Sequence, residues 1–287
     1  MAGAPEAFVE VLRAPAADWD DAFAQGAHIP ETDAIVEGWR RAAPAFRASL
    51  GGRARLDLPY EGPLCDRERE RFDLFLPEGT PRGLVVFLHG GYWMSFDKSA
   101  WSHLAAGPVA RGRAVAVPSY TLAPAARISD VTRQAAAAVA AAADLVAGPV
   151  VVSGHSAGGH LAARLLCRDV ALAPGLRPRL RRAVSISGVH DLRPLLRTAM
   201  NATLRLDLAE ARAESPALCE PAEGAELVAW VGGDERPEFL RQTALLANVW
   251  AGLGARTREV VAPGRHHFDV IAGLADAESA LVAAVVE

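Results

Sequence analysis

The chain has 287 residues, of which 51% are hydrophobic and 22% charged, enough to bury the core of one large α/β domain. A formal charge of −4 leaves no electrostatic footprint for nucleic acid or an anionic membrane surface, so neither is expected as a partner. Cys65, Cys167 and Cys219 are sparse, odd in number and outside metal-ligand spacing, which argues against a disulfide framework and for a reducing compartment.

No apolar stretch approaches the ~20 residues of a membrane span, and Met1 is not followed by a basic region and an apolar run. A cytoplasmic location is therefore expected.

Residues 1–50 read as helices and loops, with Trp19, Phe23, Trp39 and Phe46 as packing residues. Arg53–Tyr60 and Arg69–Leu76 alternate apolar and polar residues, as an antiparallel pair at a sheet edge would. Leu84–Leu88 is a continuous apolar run, expected of a strand buried on both faces, and it ends in His89-Gly90-Gly91-Tyr92-Trp93. A helix is predicted around Ser99–Ala110, a strand over Ala114–Pro118, and an alanine-rich helix over Ile128–Ala147.

Val150-Val151-Val152 then leads into Ser153-Gly154-His155-Ser156-Ala157-Gly158-Gly159 and a helix-forming run. That order predicts a nucleophile elbow, a tight strand-to-helix turn presenting Ser156 above a parallel sheet. The flanking glycines are expected because such a turn needs unusual dihedrals and leaves no room for Cβ atoms. A helix start behind Ser156 also points unpaired N–H groups at a developing oxyanion.

Arg182–Ser187 is the next predicted strand, and Leu192–Glu226 breaks the rhythm with short helical pieces. Such an insertion commonly forms a lid. Strand Leu227–Val231 runs into Gly232-Gly233-Asp234-Glu235, a helix spans about Pro237–Leu253, and the last strand is Arg256–Val261. It ends at Pro263-Gly264-Arg265-His266-His267-Phe268, before a closing helix predicted to reach the C-terminus. Strands alternating with helices imply a single α/β domain, a mostly parallel sheet covered on both faces, with residues 1–50 and 192–226 as lid elements. Right-handed crossovers then bring His89, Ser156, Asp234 and His267 to one sheet edge.

A serine hydroxyl needs a base within hydrogen-bond reach, and the base needs a carboxylate to fix its tautomer. The order Ser156, Asp234, His267 matches the Ser…acid…His order of α/β-hydrolases. His267 is favoured over His266 as the base, and Glu235 is expected to point elsewhere. Backbone N–H groups of Gly91, Tyr92 and Ala157, with Gly90 beside them, form the expected oxyanion hole, each donor being worth about 3–4 kcal/mol of barrier. His89 braces that loop. Trp93, Tyr120, His155 and Phe268 are expected around the substrate. Tyr92 and Trp93 together would crowd a long acyl chain, while a formyl group fits.

Four motifs carry a family resemblance: His89-Gly90-Gly91-Tyr92-Trp93, Tyr120-Thr121-Leu122-Ala123-Pro124, Gly154 to Leu161, and His266-His267-Phe268-Asp269. Together they resemble the arylformamidase (kynurenine formamidase) branch of the hormone-sensitive-lipase-like α/β-hydrolases. The likeness runs from Leu84 to the C-terminus, with a weaker echo in Ile29-Pro30 and around Trp39.

The resemblance implies hydrolysis of N-formyl-L-kynurenine to L-kynurenine and formate, without metal or cofactor. It carries the triad roles onto Ser156, Asp234 and His267. It also makes a homodimer plausible by analogy. A carboxylesterase of broad short-acyl scope is the alternative within the same chemistry. A catalytically silent hydrolase fold that binds ligand is the alternative outside it.

Overall fold

In the computed structural model, which describes residues 18–287, the β-branched runs form one sheet and the intervening stretches its helical cover. Two helices come first, α1 (Trp19–Phe23) and α2 (Thr32–Leu50), followed by strands β1 (Ala54–Pro59), β2 (Arg71–Phe75) and β3 (Leu84–Leu88). Next come α3 (Ala106–Ala110), β4 (Ala114–Pro118), α4 (Ile128–Leu145), β5 (Val150–His155), α5 (Ala157–Arg164) and β6 (Leu180–Ile186). The chain ends with α6 (Asn201–Leu204), α7 (Leu208–Ala213), β7 (Glu226–Gly232), α8 (Pro237–Gly252), β8 (Arg256–Ala262) and α9 (Ala280–Val286). Of the predicted N-terminal helical segment, residues 1–17 lie outside the described ones.

Among the described residues the strands form one sheet in the order β1-β2-β4-β3-β5-β6-β7-β8. β1 and β2 pair antiparallel, β2 runs antiparallel to β4, and every later pairing is parallel. The period of two sorts each strand between the faces. On β3, Leu84, Val86 and Leu88 point to the face covered by α4 and α5, into the core cluster that also holds Val139 of α4, Leu161 of α5 and, further along the sheet, Leu246 of α8. Val85 and Phe87 face the other way, with Trp39 of α2, Val109 of α3 and Val285 of α9. Both faces being covered explains why β3, β4 and β5 are buried at every position and read as unbroken apolar runs.

Two predicted helices are shorter than expected. Over 99–110 the chain makes short 3₁₀ turns and then the single turn of α3, with Pro108, which has no N–H to donate, in that turn. The closing segment is also broken. A 3₁₀ turn at Ala272–Ala275 gives way at Asp276, and α9 begins only where the Ser279 hydroxyl accepts from the Val282 N–H at 3.0 Å.

The long loop after β3 is held to the sheet edge by Lys98. Its ammonium reaches Asp57 at 2.7 Å and the buried Asp73 at 2.8 Å. Lys98→Met would leave the Asp73 carboxylate buried without its cation, and is expected to cost about 3 kcal/mol of unfolding free energy. Urea denaturation of Lys98→Met beside Lys98→Met/Asp73→Asn measures this. A double variant no more stable than the single one would show that the pair does not carry the effect.

Candidate active site

The turn after β5 has the geometry of an elbow. Ser156 takes φ 57° and ψ −118°, while its N–H donates to the Ile186 carbonyl at 2.8 Å and its carbonyl accepts from His160 at 3.1 Å. The unusual dihedral thus falls on the serine itself, and the glycines supply space. A Cβ at Gly154 would stand 2.2 Å from the Gly158 carbonyl oxygen, and one at Gly158 only 1.9 Å from that of Leu88. Neither position has room for a side chain.

The His89–Trp93 loop packs directly on this turn. A Cβ at Gly90 would lie 3.2 Å from that of Ser156, and Gly91 sits at φ +109°, where only glycine is unstrained. Among the described residues, the N–H groups of Gly91, Tyr92 and Ala157 donate to no protein acceptor. Three unsatisfied donors beside a strained serine can receive a carbonyl oxygen.

His89 lies beneath them, buried, with its ring stacked 4.2 Å from that of Tyr120 and its Nδ1 2.8 Å from the Gly90 carbonyl. Burial pushes its pKa down to about 4, so the ring is a neutral brace. The Tyr120 hydroxyl donates to the His89 carbonyl at 2.9 Å. Tyr120 and Trp93 are therefore buried supports and not cavity walls, contrary to expectation; Trp93 packs edge-on against His160. Two consecutive left-handed residues, Tyr92 at φ 50° and Trp93 at φ 56°, send their rings to different places. Only Tyr92 faces the cavity, so any crowding of an acyl chain falls on it alone.

His267 is buried and places Nδ1 2.7 Å from a carboxylate oxygen, but that carboxylate belongs to Glu235. Asp234 is exposed at the apex of the turn after β7, and its backbone N–H donates to the Arg265 carbonyl at 3.0 Å. The turn explains the exchange. It closes from the Gly232 carbonyl to the Glu235 N–H at 3.4 Å, which throws residue 234 outward and folds residue 235 back under the sheet edge.

There Glu235 accepts from the Gly232 N–H at 2.8 Å, from the Ser187 hydroxyl, and from Gln25 at 3.4 Å. Sequence reasoning assigned no part in the site to Ser187 or Gln25. Ser187 follows β6 at the same sheet edge, which was the available signal; Gln25 had none.

Of the adjacent histidines, His266 turns back on its own loop, its Nδ1 accepting from the N–H groups of Phe268 and Asp269 at 3.2 Å. His155 fixes the other side of the His267 loop by donating Nε2–H to the His267 carbonyl at 2.8 Å. Burial lowers the His155 pKa well below its ordinary value, which keeps that ring a neutral donor.

Ser156 and His267 line one cavity of about 360 Å³, together with His155, Phe268, Tyr92 and Trp101. Its outer wall comes from Phe23, Gln25 and Trp39 of the N-terminal segment and Met200 of the 192–226 stretch. Phe23 and Trp39, expected only as packing residues, thus do both. The Trp39 ring sits 4.7 Å from that of Trp101 and 5.8 Å from that of Phe268, while the Tyr92 hydroxyl donates to the Phe23 carbonyl at 2.5 Å. Asp20 at the rim accepts from the Ala199 N–H at 2.7 Å and so joins the two segments. No arginine or lysine lines the cavity among the described residues, so the arginines of 192–226 do not reach it.

Glu235→Ala is expected to lower kcat by ~10⁴-fold, as loss of the orienting carboxylate does in other triads. Asp234→Ala should change it less than about threefold. Steady-state kinetics on both variants decide the assignment; the reverse ranking would return the role to Asp234.

Comparison with known proteins places this geometry. A family profile described as Alpha/beta hydrolase family matches residues 85–286. Kynurenine formamidase of Salmo salar is 28% identical over 271 residues, covering 88% of this chain and 89% of that protein. A crystal structure from Silicibacter sp., provisionally assigned as a thioesterase, is 50% identical with a TM-score of 0.89, over 94% of this chain and 99% of that one. An esterase of Pyrobaculum calidifontis shares the fold, with a TM-score of 0.70 at 18% identity over 91% and 95% of the two chains.

Proposed function

This chain belongs to the alpha/beta hydrolase family, and from that premise we propose that it is a serine hydrolase of arylformamides, with N-formyl-L-kynurenine as the leading substrate. The observation that carries the reading is the His267–Glu235 contact, 2.7 Å long and buried, on the wall of the aromatic cavity that Ser156 opens into. In this reading Ser156 attacks the formyl carbon and passes its proton to His267 Nε2. Glu235 holds the Nδ1–H and stabilises the imidazolium.

The carbonyl oxygen takes up negative charge against the Gly91, Tyr92 and Ala157 amides. The C–N bond then breaks as His267 returns the proton to the departing aryl amine. Water, deprotonated by the same histidine, releases formate from the formyl-enzyme.

The cavity walls favour the aryl leaving group. Rings of Trp39, Phe23 and Phe268 offer stacking surfaces for a planar aromatic amine. Tyr92, tied to the Phe23 carbonyl, stands next to the oxyanion amides and leaves space for a formyl hydrogen more readily than for an acyl chain. The kynurenine formamidase relatives support the same substrate. The unpaired thiols of Cys65, Cys167 and Cys219 support a cytoplasmic location, and no helix among the described residues is long and apolar enough to cross a membrane.

A short-acyl ester is the second reading, favoured by the same catalytic groups. Steady-state comparison of N-formylkynurenine with p-nitrophenyl acetate, butyrate and octanoate and with an acetyl thioester separates them. The formamide is expected to give the highest kcat/KM, and activity on the esters should fall as the acyl chain lengthens. A preference for octanoate would sink the Tyr92 argument, and a preference for the thioester would reassign the substrate. Ser156→Ala should lower kcat by about 10⁶-fold on whichever substrate is turned over; near-normal turnover would remove the acyl-enzyme mechanism.

A further inference from the structure

Away from the cavity, the fold brings together two cysteines that are remote in sequence. Cys167 follows α5 directly, is fully buried, and donates its thiol to the Ala163 carbonyl at 3.7 Å. Cys219, half-buried near the end of the 192–226 stretch, donates to the Ala213 carbonyl at 3.4 Å. A short antiparallel pairing joins the two segments. The Arg168 N–H donates to the Glu220 carbonyl at 2.9 Å, and the Ala222 N–H to the Leu166 carbonyl at 2.8 Å. Both sulfurs and a carboxylate oxygen of Asp169 lie within 4.8 Å of one another.

Two thiols and a carboxylate could hold a soft divalent metal, or the thiols could act as a redox pair. Arg164 decides between them. It is 3% exposed and grips both Asp169 oxygens at 2.9 and 2.8 Å while reaching Glu214 at 3.2 Å. A fixed cation beside the trio opposes a metal ion in the same space and favours a thiolate. The neighbouring Cys167 thiol, and after it the Arg164 charge, holds the Cys219 thiol below its ordinary range; burial pushes Cys167 well above its own. Solvent access runs the same way, since Cys219 is reached and Cys167 is not.

We propose that Cys219 and Cys167 form an oxidisable dithiol, Cys219 reacting with hydrogen peroxide and Cys167 resolving the product. The Cys219 thiolate attacks one peroxide oxygen, the O–O bond breaks, and sulfenic acid and hydroxide result. The Cys167 sulfur then attacks that of Cys219. The S–O bond breaks as the S–S bond forms, and the sulfenic oxygen leaves as water with the thiol proton. Two electrons pass from the sulfurs to the peroxide. The new bond ties the end of the helix behind Ser156 to the 192–226 stretch, where His160 of α5 already donates to the Glu214 carbonyl at 2.6 Å.

The test uses the full chain, treated with hydrogen peroxide and assayed by thiol titration, intact mass and peptide mapping. Thiols titrated in denaturant after the treatment should fall from three to one, with a mass loss of two hydrogens and a Cys167–Cys219 cross-linked peptide that dithiothreitol releases. Cys65→Ser should keep the cross-link. Cys167→Ser should stop at a sulfenic acid on Cys219 that dimedone traps. Should Cys167→Ser fail to fold, Cys219→Ser at the half-buried position serves instead and should leave the Cys167 thiol unoxidised. Oxidation confined to Cys65, Cys219 sulfinic acid without a cross-link, or unchanged thiols would each overturn the proposal. Stoichiometric zinc binding that protects both cysteines would overturn it in favour of a metal site.

Discussion

Strand β3 and helix α5 can approach as closely as they do only because residue 158 has no side chain. The Leu88 carbonyl occupies the place a Cβ would take, and Gly154 makes the same allowance for the first turn of α5. That approach sets two things at once. It seats the N–H of Ala157 at the sheet edge, and it brings the loop after β3 down onto Ser156, with the Gly91 and Tyr92 N–H groups left without a protein acceptor among the described residues. A wider crossing would leave the nucleophile and the oxyanion donors as separate features. The strain at Ser156 is sustained because neighbours on both sides, the Ile186 carbonyl and the start of α5, leave the backbone no alternative.

The histidine is treated with similar economy. His267 is held through its side chain by Glu235 and through its carbonyl by His155, the residue immediately before the nucleophile. Movement of the base relative to the serine is thereby limited from both ends. Glu235 in turn is fixed in its buried site because Gly232, Ser187 and Gln25 all donate to it. A carboxylate so held fixes the tautomer and orientation of the His267 ring.

The cavity belongs to more than the sheet. Its floor is the edge where the parallel strands end, but its walls need α1, α2 and the stretch around Met200; α1 is tied to that stretch by the Asp20 hydrogen bond, to the loop after β3 by Tyr92, and to the start of α8 by the Arg236–Asp21 ion pair. In this hydrolase the reacting groups sit on the rigid part of the molecule, and the surfaces that would distinguish one leaving group from another sit on segments outside it. An aromatic wall without arginine or lysine among the described residues is the physical basis of the proposed preference for an aryl amine.

Periodicity and punctuation carried the architecture into view from the primary structure. A five-residue apolar run such as Leu84–Leu88, bounded by glycines, reads as a strand covered twice, and a β-branched run meeting Gly-His-Ser-Ala-Gly reads as an elbow. These are local properties, set by a residue and its near neighbours. The carboxylate was not local. Asp234 and Glu235 are adjacent and chemically alike, and the choice between them rests on how a four-residue turn rotates at the end of β7. Trp93 and Tyr120 were likewise sent to the core by backbone dihedrals and stacking partners, and Gln25 and Cys219 gained their neighbours only by long-range packing. Side-chain direction depends on contacts between distant segments, and a linear string of residues does not contain those contacts until the chain has folded.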